Sequence, residues 1–113
     1  MYKILLLGAG KIGRMIAKML SSVGEYDVLV ADRDKLLLER VEQQSGVKTR
    51  IVDVEDTQQL VNAMVDQQAV ISALSYRFNP SVAKVAFDSG ANYFDLTEDI
   101  ETTRKVRKIA VAA

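Results

Sequence analysis

Three glycines and one aspartate carry the clearest chemical signal in the chain. Gly8, Gly10 and Gly13 fall in Lys3-Ile4-Leu5-Leu6-Leu7-Gly8-Ala9-Gly10-Lys11-Ile12-Gly13, and Asp32 ends the next apolar run, 19 residues after Gly13. The spacing is G-x-G-x-x-G, preceded by an apolar run and followed by a helical pattern. In that setting the first glycine makes the tight turn out of a strand. The second lets the backbone approach a pyrophosphate, and the third lets a helix pack closely on the sheet. Ala9, Lys11 and Ile12 complete the turn. Free amides at the helix start, with roughly half a positive charge from the aligned peptide dipoles, favour an anion there. Asp32 stands where an acid accepts hydrogen bonds from the adenosine ribose of a dinucleotide. A carboxylate there repels a 2′-phosphate, which predicts NAD, with NADP as the alternative.

Other residues gather round this fingerprint. Arg33 reads either as a partner for adenine or a 2′-phosphate, or as an exposed turn charge. Asp53 and Val54 follow the third apolar run, where they either flank the adenine or, for Asp53, cap a helix. Ser72, Ala73, Leu74 and Ser75 close the fourth run beside the expected reversal in strand order. Small residues there let a cofactor reach the backbone, or else pack a central strand. Lys11 and Arg14 read as solvated helix charges near the phosphate turn. No catalytic residue and no metal ligand set is assigned.

Composition excludes several chemistries. With no histidine and no cysteine among 113 residues, the commonest general base, thiolate catalysis, disulfides and most metal sites drop out. Fifteen basic residues balance fifteen acidic ones, so no global charge recruits nucleic acid. The cluster Arg104, Lys105, Arg107 and Lys108 reads as a solvated helix face. No apolar run approaches the length needed to span a bilayer, and the first strand begins too early for a signal peptide, so no membrane partner and a cytoplasmic location are expected. None of the four tyrosines has a lysine four residues on, which excludes the tyrosine–lysine pair of short-chain dehydrogenases. The glycine spacing is not that of a nucleoside-triphosphate loop.

Apolar runs and helical patterns alternate, as in a parallel α/β sheet. Strands are expected at 2–7, 27–31, 49–52, 69–74 and 93–96. Ile12, Met15, Ile16, Met19, Leu20 and Val23 recur at helical spacing and are expected to form the inner stripe of the first helix, which stops at Gly24. Asp34 is expected to cap a second helix carrying Leu37, Leu38 and Val41 and ending near Gly46. A third carries Leu60, Val61, Met64 and Val65. Asn79-Pro80 reads as a helix start, with Asn79 as cap and proline in the first turn. Thr97 is expected to cap a last helix. The prediction is one α/β domain over 1–113: a Rossmann-type, doubly wound parallel sheet of five strands in order 3-2-1-4-5.

Two segments in the second half sharpen this. Val70-Ile71-Ser72-Ala73-Leu74-Ser75-Tyr76-Arg77-Phe78-Asn79-Pro80-Ser81-Val82-Ala83-Lys84 and Gly90-Ala91-Asn92-Tyr93-Phe94-Asp95-Leu96-Thr97-Glu98-Asp99, with the glycine turn, resemble the N-terminal NAD(P)-binding domain of the saccharopine dehydrogenase family. The resemblance implies that the chain is the cofactor-holding part of a longer two-domain oxidoreductase, expected to be a homodimer. It implies hydride transfer at a carbon–nitrogen bond of an amino acid or imine. Gly8, Gly10 and Gly13 carry over as phosphate-turn glycines and Asp32 as the ribose acid, which is closest to the NAD-using lysine dehydrogenase branch. Substrate and proton-transfer residues would lie beyond Ala113, so the chain alone is expected to be inactive. The competing readings are a regulatory NAD-sensing domain of the kind that gates potassium transport, which binds without chemistry, and an atypical reductase of the extended Rossmann group.

Overall fold

Tyr2–Leu7 forms strand β1, buried from Ile4 onward. Its unbroken apolar run suits a strand with helices on both faces. In the computed structural model, which describes residues 1–96, β1 is the centre of a parallel five-stranded sheet. It pairs with β2 (Tyr26–Asp32) on one side and β4 (Ala69–Ser72) on the other. Strand β3 (Lys48–Ile51) pairs with β2, and β5 (Asn92–Asp95) with β4. The order is β3-β2-β1-β4-β5, as expected from the sequence. Leu7 is level with Ala31 on one side and Ser72 on the other, so the carboxyl ends of β1, β2 and β4 meet at one edge where the strand order reverses. Open α/β sheets bind ligands at such a point.

Side chains alternate across β1 and feed two cores. Leu6 packs with Val28, Val30 and Ala17, Leu38 and Val41 from helices α1 (Lys11–Val23) and α2 (Lys35–Ser45). Leu5 and Leu7 pack with Val70 and with Leu60, Met64, Val82 and Ala86 from α3 (Thr57–Met64) and α4 (Asn79–Asp88). Asp34 caps α2, accepting from Leu36 N at 3.0 Å and Leu37 N at 3.3 Å.

Four expectations need correction. The face that α1 turns to the sheet centres on Gly13 and Ala17, flanked by Ile16 and Leu20. Ile12, Met15, Met19 and Val23 are more than half exposed. The apolar stripe is wider than the contact, and the close approach at the two small residues decides which half is buried. In α3, Leu60 and Met64 are buried but Val61 and Val65 are not, Val65 lying past the last turn. The fourth strand ends at Ser72 rather than residue 74, although Ala73 N still donates to Leu7 O at 2.8 Å before the chain turns away. Asn79 is not a cap. A single 3-10 turn, Tyr76–Phe78, runs straight into α4, Phe78 holds the cap position, and no side chain bonds the helix start. The last helix expected after Thr97 and the basic cluster at 104–108 lie outside the described residues.

Candidate functional site

The glycine turn is built by close approach. Gly8 has φ of +104°, a region that disfavours side chains, and a Cβ there would lie 2.9 Å from the Ala73 carbonyl oxygen. A Cβ on Gly13 would lie 1.9 Å from the carbonyl oxygen of Gly8, so only glycine lets α1 start so near the strand end. Gly10 differs: its would-be Cβ meets nothing within 4 Å, so this side of the turn is open. It precedes α1, no side chain caps the helix, and no acid sits in its first turn. The first amides of α1 are left to an outside acceptor, which suits an anion. The side chains of Lys11 and Ile12 are exposed, and Arg14 is half-buried.

Asp32 ties this turn to the end of β2. One carboxylate oxygen accepts from Ala9 N at 2.7 Å, and the other from Asp34 N at 2.9 Å. A carboxylate offers about four acceptor positions, so two remain for hydroxyl donors. The residue expected to meet a ligand is thus also an internal brace, a role local spacing did not reveal.

Beyond Asp32 lies a cleft of about 120 Å³. Asp32 and Arg33 line one part, Asp53 and Val54 from the end of β3 another, and Leu74, Arg77 and Phe78 from the turn after β4 a third. The Arg77 guanidinium sits 4.6 Å from the centre of the Phe78 ring, within cation–π range. The candidates Asp32, Arg33, Asp53, Val54 and Leu74 therefore meet around one space. Ala73 lies outside it, against the glycine turn. Ser75 is exposed and does not line the cleft; its carbonyl accepts from Phe78 N. Asp53 caps no helix. Its carboxylate accepts from Glu55 N, while Asp56 caps α3 by accepting from Gln58 N and Gln59 N. Arg77, Phe78 and Glu55 were not singled out as site residues. For the first two, the available signal was their place inside the 70–84 segment that carries the family resemblance.

Behind the turn after β4 lies a buried polar group. Ser72 Oγ donates to Asn79 Oδ1 at 2.7 Å. Tyr93 Oη is buried beside Ser72 and Asp95 without completing a well-formed hydrogen bond among the described residues. Burial first, and then the negative charge of Asp95, push the Tyr93 hydroxyl far above its ordinary range. It stays a neutral phenol at any physiological pH. Among the described residues no three acids group to hold a metal ion, and no helix is long and apolar enough to cross a membrane.

A parallel sheet of this order, with a glycine turn and an acid at the switch point, defines a dinucleotide-binding α/β domain of the Rossmann type. The model of the saccharopine dehydrogenase NADP binding domain matches residues 4–113. The chain belongs to that family. It is 32% identical over 83 residues to saccharopine dehydrogenase [NADP(+), L-glutamate-forming] of Saccharomyces cerevisiae, covering 74% of this chain and 19% of that protein. The solved apo form of the Saccharomyces cerevisiae L-Glu-forming enzyme superposes with a TM-score of 0.85 at 26% identity, over 94% of this chain and 24% of the other. A scyllo-inositol dehydrogenase from Lactobacillus casei, solved with NAD(H) and scyllo-inositol, shares the fold, with a TM-score of 0.77 and 19% identity over 98% of this chain and 33% of that one. The chain thus spans a fifth to a third of these relatives. Of the classes left open by the sequence, the family match falls on the dehydrogenases.

Proposed function

We propose that this chain is the cofactor-holding domain of an NAD-preferring oxidoreductase that acts on a carbon–nitrogen bond of an amino acid or imine. The observation that carries the NAD preference is Asp32. Its carboxylate stands at the end of β2, at the mouth of the cleft, and keeps acceptor capacity after bracing Ala9 N and Asp34 N. A ribose with both hydroxyls free supplies the donors that fit it, whereas a 2′-phosphate meets its charge at close range.

The residues fit the group. The open side at Gly10 and the uncapped amides of α1 would take the pyrophosphate. The cleft between Arg33, Val54 and Phe78 would take the adenine. Ala73, against Gly8, would line the path toward the nicotinamide. When bound, the nicotinamide supplies hydride transfer. This chain's residues bind and orient it. We assign the substrate and proton-transfer groups to the rest of a longer protein, so the chain alone binds cofactor without turnover.

Calorimetry with NAD, NADH, NADP and NADPH tests this on the wild-type chain and Asp32→Ala. The expected result is tighter binding of NAD(H) by the wild type, with the gap to NADP(H) narrowed in the variant. A wild type that prefers NADPH, or a ratio unchanged by the substitution, would overturn the role given to Asp32.

A further inference from the structure

We infer that the Ser72–Asn79 pair is a positioning element for cofactor binding, holding the chain between β4 and α4 in the one shape that serves both the glycine turn and the cleft. The inference rests on the cofactor reading above and adds two residues that touch no ligand.

Among the described residues, Ser72 and Asn79 are the only polar residues buried over their whole surface, each 1% exposed. They face each other through the 2.7 Å bond from Ser72 Oγ to Asn79 Oδ1, with the Tyr93 hydroxyl beside Ser72. The asparagine–proline pattern suggested a helix cap, yet the Asn79 side chain caps nothing. Core filling alone would favour apolar residues, because burying two polar groups costs desolvation that the hydrogen bonds they make only partly offset. A buried polar pair is best explained where it selects one geometry over its neighbours.

The geometry it selects is that of residues 73–78. Ser72 Oγ also accepts from Leu74 N at 3.4 Å, and Phe78 N donates to Ser75 O at 3.1 Å. The bond therefore spans the base of a turn whose first residue and last residues have separate tasks. At its start, the Ala73 carbonyl oxygen fills the space a side chain at Gly8, the first residue of the phosphate turn, would need. At its far end, Arg77 and Phe78 wall the cleft opposite Asp32 and Arg33. Loosening the base frees both ends together. Ser72 and Asn79 lie behind the turn and not on the cleft, so their effect on binding has to pass through the turn.

The test combines NADH titration by fluorescence with backbone hydrogen exchange on the full chain. Asn79→Ala and Ser72→Ala are each expected to weaken NADH binding about tenfold, as expected for losing one buried hydrogen bond and the order it imposes. The double variant should bind little worse than either single one, because both remove the same bond. Ser72→Thr keeps the hydroxyl and should stay within about threefold of wild type. Amide exchange should rise at 73–78 and stay unchanged in β1. Val82→Ala, in the buried face of the same helix, is the control for mere destabilisation: it should lower stability with affinity within about twofold. If Asn79→Ala does not fold, Ser72→Ala decides by the same criteria. A folded Asn79→Ala or Ser72→Ala variant that binds NADH like the wild type, or a Val82→Ala variant that loses as much affinity, overturns the inference. A wild type that binds no dinucleotide overturns the cofactor reading instead. In that case faster exchange at 73–78 would still support the lock, and unchanged exchange would overturn it.

Discussion

Exchanging each of two glycines for alanine should produce opposite failures. At Gly13 the new Cβ would sit 1.9 Å from the Gly8 carbonyl oxygen, about 1.5 Å inside an ordinary contact of 3.4 Å. The atom it meets is backbone at the end of β1, so no side chain can swing away. Either α1 lifts from the sheet or the glycine turn opens, and overpacking of this kind costs about 3 kcal/mol or more. Helix propensity argues the other way, since alanine inside a helix is favoured over glycine by about 1 kcal/mol. The steric term wins. A domain of this size is stable by only about 5–15 kcal/mol, and each kcal/mol lost lowers Tm by about 4 °C, so a net loss of about 2 kcal/mol or more should make Gly13→Ala melt at least about 8 °C early. At Gly10 the new Cβ meets nothing within 4 Å, and φ of −71° with ψ of −167° is extended backbone open to alanine. A small loss of capping preference and a small gain in chain stiffness nearly cancel, which leaves Tm within about 4 °C. The methyl group would instead occupy the space assigned to the pyrophosphate. Melting followed by circular dichroism, with NADH titration of both variants, separates the two cases. Equal Tm for Gly13→Ala and wild type would refute the close approach. Undiminished NADH binding by Gly10→Ala would refute the placement of the phosphate.

Three further outcomes are expected. Asp32→Ala removes the acceptor for Ala9 N and Asp34 N, so urea unfolding should show a loss of about 2 kcal/mol before any ligand is added. The raised pKa of Tyr93 means that above its ordinary value of 10.0 the unfolded chain loses a proton that the folded chain keeps. Stability should therefore fall as pH rises past 10, and Tyr93→Phe should flatten that fall without loss at pH 7, as urea unfolding at pH 7 and pH 11 would show. Met19→Lys, at a position already 63% exposed, should change stability by less than about 0.5 kcal/mol by thermal melting. A large loss there would put Met19 back in the core.

The sheet order was legible because the three central strands carry apolar runs between turn signals, the glycine turn pins the first of them, and the two edge strands, mixed in character, fall in the alternation with helices. The cap at Asp34 was legible for the same local reason: an aspartate precedes a periodic segment and its side chain reaches two residues on. What failed was the orientation of α1. Periodicity marked six apolar positions but could not show that Gly13 and Ala17, which count for little in such a pattern, set the contact. The cleft failed differently. Arg77 and Phe78 lie about 45 residues from Asp32 along the chain, and only the parallel register, with Leu7 level with both Ala31 and Ser72, brings them together. Asn79 was misread because an asparagine before proline has a strong local meaning, and the buried Ser72 partner that overrides it sits in another element.

A single dinucleotide across the carboxyl ends of β1, β2 and β4 would touch four separate segments of the chain. Amide chemical-shift mapping of the isotopically labelled chain during addition of NADH tests it most directly. Shifts are expected only at Gly8–Gly13, Asp32–Arg33, Asp53–Val54 and residues 73–78, with Lys48 and Gly24 at the opposite edge silent. Saturating NADH and NADPH that both leave the glycine turn unshifted, or a response centred on that opposite edge, would contradict it.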